Sequence, residues 1–232
     1  MARTLTLTAA ARRAFDRMAA DSARVFGGRF VALAAYDQER AIVLASGVSA
    51  ADLAALAPLA EVWHRDGLRT PLVMTREEFL RSLDAFPLEY QAIIDRHLVV
   101  AGTDPFPGLT INPEDLRRGC EVQAKAHLIH LRQGWLEAGG HSGELADLVR
   151  ESAAPWRVLL ENVARLRGVS PDDDVALSAF AGSVTGMAPE LIEALLAAGH
   201  GGADLPARLV GRLPDYLAGA EQLWATIDTW RA

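Results

Sequence analysis

Arg29-Phe-Val-Ala-Leu-Ala-Ala35 and Arg40-Ala-Ile-Val-Leu-Ala45 are two apolar runs separated only by Tyr36-Asp37-Gln38-Glu39. Short runs rich in valine, isoleucine and alanine, joined by a polar segment of turn length, predict an antiparallel hairpin with both strands largely buried. Upstream, the spacing of Ala14, Phe15, Met18, Ser22, Val25 and Phe26 predicts an amphipathic helix from Ala10 to Phe26, stopped by Gly27-Gly28. Downstream, Ser49 is placed to cap a helix running to His64, with Asp52 in its first turn and Pro58 predicting a kink or break between Ala54 and Ala57. Pro71 to Met74 reads as a strand, and Thr75-Arg-Glu-Glu78 is a capping-box pattern opening a helix to Leu83. Phe86 to Tyr90 and Leu98 to Ala101 read as two more short strands, and Gly102 to Leu109 as a linker.

From Asn112 onward the pattern turns helical. Asn112-Pro113-Glu114-Asp115 supplies an N-cap, a proline at the first helical position and two first-turn acids, and the run continues to Ala138 before Gly139-Gly140. Further helices are expected from Ser142 to Leu166, bent at Pro155, then from Pro171 to Val184, Pro189 to Ala198, and Leu205 to the C-terminus. The fold class expected is α+β: a small mixed β-sheet with flanking helices over residues 1–108, followed by an α-helical bundle over 109–232.

Composition narrows the function classes. With 232 residues, half of them apolar, the chain is long enough to bury a core as one large or two small domains. A formal charge of −7 without a local Lys/Arg cluster disfavours broad nucleic-acid binding. Charges interrupt every apolar stretch well short of a membrane span, and the N-terminus has no signal-peptide core, so a cytoplasmic protein without membrane association is expected. The single cysteine, Cys120, excludes an internal disulfide and fits a reducing compartment.

The middle of the chain carries a resemblance. Pro71-Leu-Val-Met-Thr-Arg-Glu-Glu-Phe-Leu-Arg-Ser82, Asp84-Ala-Phe-Pro-Leu-Glu-Tyr90, Val99-Val-Ala-Gly-Thr-Asp104, Leu116-Arg117 with Glu121, and Leu131-Arg132-Gln133-Gly134-Trp135 together resemble a bacterial group of nucleotidyltransferases in the DNA polymerase β superfamily. The resemblance covers Asp52 to Arg165 and implies a reduced nucleotidyltransferase-like sheet domain carrying a helical domain. In that superfamily a Gly-Ser pair after the first strand holds nucleotide phosphates. Two carboxylates spaced one apart, joined by a third from a later strand, bind magnesium and stabilise the oxygens of an in-line transfer. Here Ala34-Ala35-Tyr36 stands in place of Gly-Ser, and no Asp-x-Asp precedes the second strand. Asp37 and Glu39 have the spacing but read as a solvated turn, and Glu89 is the positional match to the third acid. Gly27-Gly28 precedes a strand and reads as a helix stop, not a phosphate loop.

Other clusters carry local readings. Cys120, His127 and His130 lie within about 80° on one helix at roughly 100° per residue. They read as a buried thiol beside two surface histidines; a metal site there needs a second element, such as Glu137 or His141. Asp172-Asp173-Asp174 reads as dipole-complementing acids at a helix start. Arg117 reads either as a contact for an anionic ligand or as part of an ion-pair ladder with Glu121 and Lys125. Trp63, Trp135, Trp156, Trp224 and Trp230 read as packing anchors.

The function expected is a non-catalytic nucleotidyltransferase-like protein that binds a small ligand or a protein partner between its two domains, with Asp37, Glu39, Glu89 and Arg117 as candidate ligand contacts. No catalytic residue, resident metal or cofactor is expected. One alternative is a magnesium-dependent nucleotidyltransferase with a rearranged site around Asp37, Glu39 and Glu89. Another is a helical assembly module forming a homodimer.

Overall fold

The computed structural model describes residues 5–169, 174–198 and 205–230. The chain divides into two compact units, one ending at Ile111 and the other beginning at Asn112.

In the first unit, α1 (Ala9–Phe26) leads through a short 3-10 turn into β1 (Phe30–Ala35) and β2 (Ala41–Ala45). The predicted hairpin forms, antiparallel with Ala35 opposite Ala41 and Leu33 opposite Val43. Next come α2 (Ala50–Arg65), β3 (Leu72–Thr75), α3 (Arg76–Arg81), α4 (Pro87–Asp95) and β4 (Leu98–Gly102). The sheet is mixed, in the order β3-β2-β1-β4: β3 runs parallel to β2, as a helical crossover requires, and β4 is antiparallel to β1.

Alternation along the central strands divides the sheet's two faces. Leu33, Ala35, Ala41, Val43 and Ala45 form a core with Phe15, Met18 and Phe26 of α1 and Leu56 and Trp63 of α2. On the opposite face, Leu44 pairs with Met74, whose sulfur lies 3.9 Å from the Tyr90 hydroxyl, so α4 packs on that side. Tyr90 also meets Phe79 at a ring separation of 4.5 Å, and Phe79 meets Phe106 at 5.2 Å. Alanines on β1 let the helices approach closely. Gly102 ends β4 with φ of 85°, and a Cβ there would lie 2.1 Å from the Val31 carbonyl oxygen. Only glycine fits this position without moving backbone.

Capping explains several boundaries. Ser49 and Asp52 form a reciprocal capping box on α2, and Thr75 and Glu78 form another on α3. Two expectations change. α2 runs continuously through Pro58, because losing one backbone donor is tolerated when the flanking turns remain bonded. Phe86 to Tyr90 is not a strand: Pro87 occupies the first helical position of α4, where a fixed φ and a missing N–H carry no penalty.

The second unit is helical. It comprises α5 (Pro113–Glu137), α6 (Ser142–Leu166), α7 (Asp174–Thr185), α8 (Pro189–Ala198), α9 (Leu205–Leu209) and α10 (Leu213–Thr229). Asn112 caps α5 by accepting the Glu114 N–H at 2.9 Å. α5 packs on α6 and α10, and α6 also packs on α7, α8 and α9. Trp156, Leu159, Leu160 and Val163 of α6 form the buried centre with Leu128 and Leu131 of α5 and Tyr216 and Leu223 of α10. The expected fifth helix is divided by a 3-10 turn at Val210–Arg212, with Pro214 in the first turn of α10. Asp172 and Asp173 lie outside the described residues; Asp174 starts α7 and pairs with Arg157 at 2.7 Å.

Candidate functional site

Asp37 and Glu39 both sit in the β1–β2 turn. One oxygen of the Asp37 carboxylate accepts the N–H of Glu39 at 2.7 Å and the N–H of Arg40 at 2.6 Å. This is an Asx-type turn, in which the side chain replaces a backbone acceptor and closes the hairpin. Glu39 faces Arg69 at 3.3 Å, and both side chains are exposed. Glu89 is exposed in the first turn of α4, where its charge complements the helix dipole. A hairpin turn and a helix start thus supply the acids that the sequence placed at a turn and in a strand. Among the described residues, no group of three histidine, cysteine, aspartate or glutamate side chains is arranged to hold a metal ion.

Gly27 caps α1 with φ of 56° and its N–H bonds the Ala23 carbonyl, so the glycine pair ends a helix and opens β1. Beside it, the Arg29 guanidinium binds Asp52 through two parallel bonds of 2.8 and 2.7 Å. Its third contact is the Gly47 carbonyl at 3.1 Å. Bonds from Arg29 and then Ser49 hold the Asp52 carboxyl far below the usual carboxylate range. This acid, the most perturbed in the unit, anchors α2 to the start of β1.

In the helical unit, Arg117 donates to Glu121 at 2.8 Å and to Glu114 at 3.0 Å. The Glu114 bond, and then the Glu121 bond, raise the guanidinium pKa above its already high value. The Arg117–Glu121 rung of the expected ladder therefore forms. Lys125 lies elsewhere, with its ammonium 3.5 Å from the Trp224 ring centroid. Trp230 likewise carries the Arg167 guanidinium at 4.7 Å. Trp63 and Trp156 are buried core anchors.

Cys120 is fully buried, and burial pushes its thiol up to about 12, which suits a packing role and not a nucleophile. His130 is exposed, but His127 is only 7% exposed. Its Nε2 lies 2.8 Å from the Tyr216 hydroxyl, and its ring stacks on Trp156 at 5.2 Å. Burial, with a smaller effect of His130, lowers the His127 pKa to about 4, so the ring is neutral at ordinary pH. The expectation of two surface histidines fails at this residue. His127 and Tyr216 are 89 positions apart, and no local pattern reports their contact.

His127 also lines a cleft of about 350 Å³ between α5 and α6, with Glu137, Glu151, Leu148 and Pro155 among its walls. Pro155 has no N–H to offer the Glu151 carbonyl one turn earlier, which opens the hydrogen-bond ladder of α6 at the cleft. Sequence marked Pro155 as a bend and Glu137 as a conceivable ligand; Glu151 gave no signal.

The fold and these groups define a class: an α+β protein with a four-stranded mixed sheet, flanking helices and a separate helical unit. No protein-family model, curated protein or solved structure matches the chain.

Proposed function

We propose that this chain is a non-catalytic, nucleotidyltransferase-like protein of the cytoplasm that acts by binding a small ligand or a protein partner. The observation that carries this reading is the Asp37 carboxylate. One of its oxygens accepts two backbone N–H groups of its own turn at 2.7 and 2.6 Å and the other faces the Arg40 guanidinium at 3.6 Å, a structural use of the acid that the magnesium chemistry would need. Glu39, its neighbour in spacing, faces Arg69. Polyphosphate transfer needs several oxygen ligands converging on divalent metal, and a turn-closing aspartate is poorly placed to supply one. Among the described residues, no helix is long and apolar enough to cross a membrane. Calorimetry with ATP, GTP and CTP, with and without magnesium, tests the reading. It expects no magnesium-dependent heat; a magnesium-dependent isotherm lost in Asp37→Asn contradicts it and restores the transferase.

A second reading, assembly as a homodimer, is favoured by one stripe on α5. Val122, Ile129 and Leu136 are 70%, 42% and 81% exposed and recur every seven residues, the repeat by which two helices pair along a seam. Sedimentation of the wild type and of Ile129→Glu tests it: a dimer that the substitution dissociates supports assembly, and a wild-type monomer at high concentration removes it.

A further inference from the structure

We propose that the exposed face of α5 is the docking surface for a second copy of this chain, which lies parallel and in register along Val122, Ala126, Ile129, Gln133 and Leu136. The proposal rests on the assembly reading above and gives it a direction and a register. Cys120, Ala124, His127, Leu128 and Leu131 turn one side of α5 into the buried centre of the helical unit. On the far side of the same helix, Val122, Ile129 and Leu136 are 70%, 42% and 81% exposed.

A seam between two helices needs a second row, alternately three and four residues from the first. Two rows flank the stripe. On one side stand Arg118, Lys125 and Arg132, each engaged within its own chain: Arg118 with Asp115, Lys125 over the Trp224 ring at 3.5 Å, and Arg132 with Glu221 at 2.8 Å. On the other stand Gly119, Ala126 and Gln133. This second row completes the seam, because the basic row would have to abandon its own contacts to enter it. The Gln133 amide, both donor and acceptor, can pair with its own copy across a two-fold axis. Arg118, Lys125 and Arg132 then form one rim of the seam, and Gln123, His130 and Glu137 the other.

Charge sets the direction. In an antiparallel pair like rims face each other, which puts Arg118, Lys125 and Arg132 against the same three residues of the partner. In a parallel pair opposite rims face, and Arg132 meets the partner's Glu137. The Arg132 guanidinium has donors beyond its one Nη2 bond to Glu221, and Glu137 is exposed on the opposite rim. A two-fold axis makes this contact twice. The face is therefore complementary to itself in both its apolar rows and its charges, which favours a second copy over an unrelated helix.

Oxidative cross-linking of the full chain tests the direction, and sedimentation tests the charges. Leu136→Cys is expected to form a disulfide-linked dimer, because a parallel register sets the two positions side by side. In an antiparallel pair centred on Ile129 they lie roughly 20 Å apart along the axis at 1.5 Å per residue. Val158→Cys, exposed on α6 and off the seam, is the control for random collision. Glu137→Arg is expected to weaken the dimer about tenfold, and Arg132→Glu/Glu137→Arg to recover it, with folding of each variant checked by circular dichroism. A dimer in which Leu136→Cys links no better than Val158→Cys overturns the parallel seam and leaves assembly standing. Unchanged association in Glu137→Arg, or no recovery in the double variant, overturns it as well. A wild-type monomer at high concentration removes the assembly reading and this inference together.

Discussion

His127 of α5 and Tyr216 of α10 meet through a buried hydrogen bond of 2.8 Å, with the Trp156 indole of α6 against both rings. Three helices thereby meet at one buried polar contact. Tyr216→Phe removes the oxygen and leaves the buried imidazole Nε2 unpartnered, at an expected cost of about 1–3 kcal/mol. Urea unfolding of the helical unit, followed by tryptophan fluorescence, measures the loss. An unchanged midpoint shows that the bond contributes nothing net.

The same histidine sets an acid limit. Its folded pKa of about 4 lies below its ordinary 6.5, so protons bind the unfolded state preferentially. Stability is therefore fully present above pH 6.5 and is lost as pH falls towards about 4, by on the order of 3 kcal/mol. Around the imidazole stand His130 on its own helix, Tyr216 on α10, and Glu151 across the cleft, with Glu137 further along α5. Thermal unfolding between pH 7.5 and pH 4, approximate limits spanning that titration, should show a decline that His127→Gln flattens. A parallel decline in the variant assigns the effect to other groups.

Asp52 closes both the α2 cap and the Arg29 contact. Its folded carboxyl titrates below the unfolded one, so its contribution is present at neutral pH and lost as pH falls below the carboxylate range. Arg29→Met is expected to lower neutral stability and shift acid unfolding to higher pH, moderated by solvent because the Arg29 side chain is 43% exposed. Ser49→Ala, which removes the cap oxygen, should cost about 1 kcal/mol. Acid titrations followed by circular dichroism compare the three proteins, and coincident curves contradict the assignment.

Gly102→Ala combines a left-handed backbone with a Cβ placed 2.1 Å from the Val31 carbonyl. The β1–β4 pairing must shift, at about 3 kcal/mol or more. Hydrogen exchange at Ala32 and Leu33 should quicken selectively; uniform protection shows that the edge strand adjusts freely.

The parts of the fold legible in the sequence are those fixed by neighbours. Ser49 with Asp52, Thr75 with Glu78, and Asn112 with Glu114 mark helix starts through bonds spanning three residues or fewer, and each forms. The hairpin also forms, because four polar residues between two apolar runs leave few alternatives. Phe86 to Tyr90 was ambiguous for a physical reason: a five-residue apolar run has no measurable period, and Pro87 serves a helix start as readily as a strand end. The site was less legible. Helical spacing placed His127 on a stripe, but its burial depends on Trp156 and Tyr216, which only tertiary packing brings together.

The central claim is that Asp37, Glu39 and Glu89 serve local structure and do not assemble around metal and polyphosphate. Paramagnetic Mn²⁺ with ATP, titrated into isotopically labelled protein, tests it most directly by selective broadening of nearby amide resonances. The account predicts no broadening shared by Asp37, Glu39 and Glu89. Saturable, ATP-dependent broadening centred on all three contradicts it.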